Sequence, residues 1–147
     1  MNTLKLNERN FKEFGKIIKV SKRLCKSRLD NFNYYSAGLI KCDSGIEIGL
    51  LEIFKKTGMV IKFERHHYTE EVIMPLEGKV KIHLAGPEKL SLRKDDIKTF
   101  IVEPGIGVKL RRDVWHAIPE ILSEEKSLCL ILKEKTIKDD LYFTELN

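Results

Sequence analysis

A chain of 147 residues, 42% hydrophobic and 33% charged, has the balance of an ordinary globular protein and can bury a core without disulfide or metal staples. Its 27 lysines and arginines exceed 22 acidic residues for a net charge of +5, but the excess is dispersed among acidic neighbours, which argues against nucleic acid as a partner. No apolar run approaches the ~20 residues that span a bilayer, the opening MNTLKLNERN lacks an apolar signal core, and Cys25, Cys42 and Cys129 form no CxxC pair, so one cytoplasmic domain over residues 1–147, with no membrane partner, is expected.

Asn7 followed by ERNFKEFGK reads as an N-cap and a short amphipathic helix, with Phe11 and Phe14 on one face and Gly15 as the stop. The basic run from Lys19 to Arg28 lacks interleaved aromatics and reads as a solvated loop. Short β-rich segments bounded by turn residues follow: YYSAGLIK, IEIGLLEIF, MVIKFERH, EVIMPL, KVKIHLA, KTFIV, GVKL, WHAIPEI and SLCLILK. That rhythm predicts an all-β antiparallel sandwich or barrel. In KVKIHLA, Val80, Ile82 and Leu84 alternate with Lys79, Lys81 and His83, which places His83 on the solvent face. The closing EKTIKDDLYFTELN either adds a terminal strand or packs outside.

The stretch FERHHYTEEVIMPLEG concentrates the chemistry. Strand phase puts Val60, Lys62, Glu64 and His66 on one face and Ile61, Phe63 and Arg65 on the other. If the apolar face packs, Glu64 and His66 look together into whatever the other face encloses, and Glu71 returns from the next strand. His67, one step out of phase, points away. Against this stands the plainer reading of a solvated charged face. His116, followed by apolar Ala117 and Ile118, favours a convergent site.

From Gly58 the spacing is five residues to Glu64, one to His66, four to Glu71 and six to Gly78. This resembles the first cupin motif, with glutamate where many cupins carry their first histidine. The segment from Gly105 through Arg111 and Asp113 to His116 keeps the spacing of the second motif, with Arg111 and Asp113 at the usual proline and glycine. The resemblance implies an all-β cupin double-stranded β-helix, a jelly-roll barrel, carrying a short N-terminal helix, with its site in the barrel mouth.

A narrower resemblance, to the ureidoglycolate lyase family, covers most of the chain. It rests on FKEFGKII, the Glu64-Arg65-His66 triplet, Pro75-Leu76-Glu77-Gly78, and the block from Gly107-Val108 to Val114-Trp115-His116. It implies a homodimeric cytosolic enzyme of purine breakdown that splits ureidoglycolate to glyoxylate and urea. The chain departs from the family pattern at Glu71, where the family often has glutamine, and at Ala117, where it often has a second histidine.

Cleavage of a hemiaminal needs a base for the hydroxyl proton and an acid for the departing nitrogen. His66, Glu71 and His116 are the candidate proton carriers. Glu64, His66, Glu71 and His116 are the candidate ligands of one divalent cation, and mixed N/O donors suit Ni, Mn, Fe or Zn without choosing among them. Lys62 and Arg111 are the candidate anchors for an anionic substrate, with Tyr34, Tyr35 and Trp115 as candidate walls. The competing readings are another small-acid or sugar cupin, an isomerase or oxygenase, and a non-catalytic binding module.

Overall fold

A computed structural model describes residues 2–19, 25–28, 33–35, 45–55, 62–122, 126–135 and 140–146. Its first elements are β1 (Asn2–Leu4) and the helix α1 (Glu8–Phe11). Asn7 caps the helix, its side-chain oxygen accepting the Asn10 N–H at 2.9 Å, which satisfies one of the donors that a first turn leaves orphaned. Phe11 and Phe14 are both buried, as their spacing predicts, and each packs its ring edgewise on Phe100, with centroids 5.2 and 5.6 Å away. Burial of each ring stabilises the fold by roughly 1.5–3 kcal/mol.

At Gly15 the chain turns from helix to strand, against the backbone of a neighbouring strand. A Cβ there would lie 1.7 Å from the Lys109 carbonyl oxygen, so only glycine fits. The strands that follow are β2 (Gly15–Ile18), β3 (Cys25–Arg28), β4 (Asn33–Tyr35), β5 (Ile46–Phe54), β6 (Lys62–His66), β7 (Glu71–Glu77) and β8 (Val80–Ala85). After a short 3-10 turn at Lys94–Asp96 come β9 (Lys98–Val102), β10 (Gly107–Leu110), β11 (Trp115–His116), β12 (Glu120–Ile121), β13 (Lys126–Glu134) and β14 (Leu141–Glu145). The expected WHAIPEI strand is therefore split, with β11 and β12 separated around Pro119, which has no N–H to give a ladder.

Two sheets form the jelly-roll barrel. One runs β1-β9-β8-β11-β6-β14, with β12 also on β8, and the other runs β2-β10-β7-β13-β5. β3 and β4 pair as a separate ribbon. Between the sheets lies a core that includes Ile73, Val80, Ile82, Leu84, Phe100, Val102 and Val108. A second cluster of Phe63, Ala85, Leu92, Ile97, Trp115 and Ala117 is separate from it. The closing segment does add a strand: β14 pairs antiparallel with β6, setting Phe143 against Glu64 and Leu141 against His66.

His83 corrects the alternation argument. It is buried, not solvent-facing, because Thr99 of β9 and Glu120 of β12 close over it, 2.8 Å from Nδ1 and 3.1 Å from Nε2. Strand alternation reports two faces but not whether the second is covered. The side chains of the Cys25–Arg28 strand and of Tyr34 and Tyr35, and Cys42 and Gly58 altogether, lie outside the described residues, as do residues 20–24 of the basic run. Among the described residues no helix is long and apolar enough to cross a membrane.

Candidate active site in the barrel mouth

A cleft of about 270 Å³ is lined on one side by Glu64, His66 and His116 and on the other by Glu71, Ile73, Ile131 and Lys133. Sheet register assembles it. His116 pairs with Glu64 across β11 and β6, while Glu71 opens β7 opposite Lys133 of β13. The phase argument holds for β6: Glu64 and His66 face the cleft, Phe63 is in the second apolar cluster, and the Arg65 guanidinium lies 4.4 Å from the Trp115 ring centroid.

The departures from the second motif keep its geometry. Asp113, at the usual glycine, takes φ +63°, the left-handed conformation that aspartate tolerates better than most residues. Its N–H donates to the His66 carbonyl at 2.7 Å, and its carboxylate lies 2.8 Å from Nδ1 of exposed His67. Arg111, at the usual proline, uses the N–H that proline lacks to bond the Phe14 carbonyl at 2.8 Å. The turn that carries His116 is thereby tied to both β6 and the N-terminal segment.

The buried groups are tightly linked. His66 Nε2 lies 3.2 Å from Glu71 Oε2, and His116 Nε2 lies 3.6 Å from the same oxygen and 3.7 Å from Glu64 Oε1. Burial pushes the Glu71 pKa upward, but His116 and His66 outweigh it and hold the carboxyl well below its usual range. Burial likewise opposes charge on His116, yet Glu71, the Val114 carbonyl and Glu64 together raise its pKa above the ordinary value. His116 Nδ1–H donates to the Val114 carbonyl at 3.0 Å, which leaves Nε2 as the atom presented to the cleft.

Asp140 completes the arrangement, and sequence spacing gave no sign of it. Fully buried just before β14, its carboxylate accepts the Tyr68 N–H at 2.6 Å and the Thr69 hydroxyl at 2.9 Å, and lies 3.1 Å from His66 Nδ1. Burial works against ionisation, but these contacts win and lower the Asp140 pKa. A carboxylate behind the imidazole fixes the ring and aims Nε2 into the cleft.

Of the expected metal ligands, Glu64, His66 and His116 each bring one donor atom into a set lying within 4.8 Å of one another. Glu71 is not in that set and sits against both imidazoles instead. The set fits a cation: His116 Nε2 is buried with no hydrogen-bond partner, an atom left unspent by the fold.

Other expected residues stand elsewhere. Lys62 shares the strand phase of Glu64, but it is exposed at the end of β6, its ammonium 4.4 Å from the Phe143 ring centroid and not among the cleft-lining residues. Phe143, which lies diagonally across on β14 and pairs with Glu64, holds the cation away from the cleft. Arg111 bonds the Glu13 carbonyl and opens on a separate basic depression with Lys12, Lys16 and Lys109. Trp115 walls no part of the cleft: its indole N–H donates to the Lys89 carbonyl at 2.8 Å and its ring is in the second apolar cluster. Ala117 lines the cleft where a histidine was the family expectation.

Solved structures that resemble this fold are cupin proteins. A variant of the oxalate decarboxylase of Bacillus subtilis aligns at 14% identity over 69% of this chain and 24% of its own, with a TM-score of 0.48. The 3,4-ketoisomerase QdtA of Thermoanaerobacterium thermosaccharolyticum aligns at 19% identity over 86% of this chain and 85% of its own, with a TM-score of 0.50. The chain thus spans about a quarter of the decarboxylase it resembles. No curated protein sequence matches significantly. The sequence itself matches ureidoglycolate lyase over residues 1–145, nearly end to end, and with the barrel and its acid-histidine cleft in place, the chain belongs to the ureidoglycolate lyase family of enzymes.

Proposed function

We propose that the cleft converts ureidoglycolate to glyoxylate and urea, with residues 1–147 working as one cupin-type domain. The reaction relocates a single proton. As the bond from carbon to the urea nitrogen breaks and the hydroxyl becomes a carbonyl, the proton lost by oxygen is matched by one gained at nitrogen. The observation that carries this reading is the buried pair of Glu71 and His116, 3.6 Å apart and biased oppositely, the one toward its anion and the other toward its cation. Glu71 takes the hydroxyl proton and His116 Nε2–H protonates the departing nitrogen. His66, braced by Asp140, holds Glu71 in place. Such positioned proton carriers contribute about 10²–10⁴-fold each.

In an alternative state of the site, with Nε2 of both histidines unprotonated and His116 no longer the acid, Glu64, His66 and His116 would hold one divalent cation, with Ni, Mn, Fe and Zn all compatible with two imidazoles and a carboxylate. Bound there, it supplies Lewis-acid polarisation of substrate oxygens. Glu71, outside the ligand set, keeps its place as proton acceptor. Cytoplasmic residence in purine breakdown is supported by the free, buried Cys129 thiol and the family membership. A homodimer is supported by the outward row Ile46, Ile48, Leu50 and Phe54 on edge strand β5, an apolar face suited to a second copy of the chain.

The test is incubation with racemic ureidoglycolate. Glyoxylate and intact urea are expected in equal amounts. Release of ammonia in place of urea assigns a hydrolytic reaction, and no turnover refutes the substrate.

A further inference from the structure

The cleft binds an anionic substrate in this reading, yet its walls carry Glu47, Glu64 and Glu71. A carboxylate entering beside those groups is repelled unless a cation meets it. Among the described residues lining the cleft, Lys133 is the one lysine or arginine. Register explains its position. On β13, Lys133 pairs with Glu71 of β7 on one side and Glu47 of β5 on the other, so the three side chains form a row across neighbouring strands. Its ammonium makes only a loose contact, 4.0 Å from Glu47 Oε1, and the side chains are 21% and 52% exposed. A cation partly withdrawn from water, with a weak and wet partner, is available to a better one.

We infer that Lys133 anchors the substrate's carboxylate, and that Glu47 is the counter-ion it leaves when substrate arrives. The inference rests on the ureidoglycolate reading for the identity of the acid. It assigns an orientation: with the carboxylate at the β13 side, the carbon bearing hydroxyl and urea nitrogen faces Glu71 and His116. Lys133 is then a specificity residue that selects α-carboxylates over neutral analogues, and takes no proton in the reaction.

The test combines steady-state kinetics on ureidoglycolate with calorimetric binding of glyoxylate, using the full chain. Lys133→Met should raise KM and the glyoxylate Kd about ten- to a hundredfold, the loss expected of one charge-assisted hydrogen bond, with a much smaller change in kcat. Lys133→Arg should recover part of the affinity. Lys126→Met is the matched control, because Lys126 pairs with Glu52 between the same two strands, 3.4 Å apart, and does not line the cleft. It should change neither constant. An unchanged KM in Lys133→Met, with wild-type protein still releasing urea, overturns the anchor and leaves the reaction standing. Glyoxylate binding that depends on Lys133 in a protein that does not cleave ureidoglycolate does the reverse. Absence of both binding and cleavage overturns both. Should Lys133→Met fail to fold, Glu47→Gln decides: freeing the ammonium should tighten glyoxylate binding a few-fold, and weaker or unaltered binding refutes the inference.

Discussion

His83 and His116 sit on adjacent strands of one sheet, both buried, and differ in almost everything else. The His83 ring has a partner at each nitrogen, Thr99 at 2.8 Å and Glu120 at 3.1 Å. Burial pushes its pKa below the ordinary value, more strongly than Glu120 raises it. His116 spends one nitrogen on a backbone carbonyl and turns the other toward two carboxylates that lie beyond hydrogen-bond range. Its pKa moves up, because Glu71, the Val114 carbonyl and Glu64 together outweigh desolvation. Burial is common to both and marks neither. What separates a structural histidine from a working one here is a nitrogen left unspent beside negative charge.

Replacing each histidine breaks the comparison most directly. His116→Ala should lower glyoxylate formation by about 10²–10⁴-fold and abolish uptake of divalent metal by elemental analysis, with an unchanged far-UV circular dichroism spectrum. His83→Ala should leave turnover near wild type. Equal losses from the two variants would show that the distinction is not catalytic.

Glu71→Gln should cost about 10²-fold in kcat, as loss of one proton carrier does. It also removes the main group that raises the His116 pKa. The alkaline limb of the pH–rate profile, where His116 loses its proton, should therefore move to lower pH. A limb that stays in place would mean that another group is the acid.

Asp140→Asn sharpens the contrast by loosening His66 without touching the cleft surface. A ten- to hundredfold fall in metal affinity or kcat is expected, measured by competitive chelation and by turnover.

The smallest effect is on stability. In chelator-treated protein, the lowered pKa of His83 means that the unfolded chain binds the extra proton first. Its contribution is present above the ordinary histidine pKa of about 6.5 and is lost as pH falls below it. His116 works oppositely: with a raised folded pKa, its contribution is full below that ordinary value and lost as pH rises through the folded pKa. Thermal midpoints between pH 5 and 8 should show His83→Gln flattening the acid side and His116→Gln flattening the alkaline side. The same slope change from both would contradict the opposed shifts.

Much of the molecule was legible in order and spacing. Alternation and turn residues located strands such as Ile46–Phe54, Lys98–Val102 and Gly107–Leu110, because side-chain period and turn chemistry are local properties. Motif spacing brought Glu64, His66, Glu71 and His116 to one cleft even with Asp113 and Arg111 at unusual positions. Phase failed where the far side of a strand mattered. His83 was expected in solvent and is covered by β12, and Lys62 has the right phase but reaches Phe143 at the rim.

Local sequence thus determined the strands, the capped helix and which residues of β6 look inward, since each depends on a few neighbouring residues. The tertiary structure decided the partners. Asp140 reaches His66 across 74 positions of chain because β14 pairs with β6, and no spacing rule spans that distance. Lys133 lies in phase with Cys129 and Ile131 on β13, but only the pairing of three strands sets it between Glu47 and Glu71. Charge and burial act through space, so the electrostatics of this cleft belong to the fold, not to any one segment.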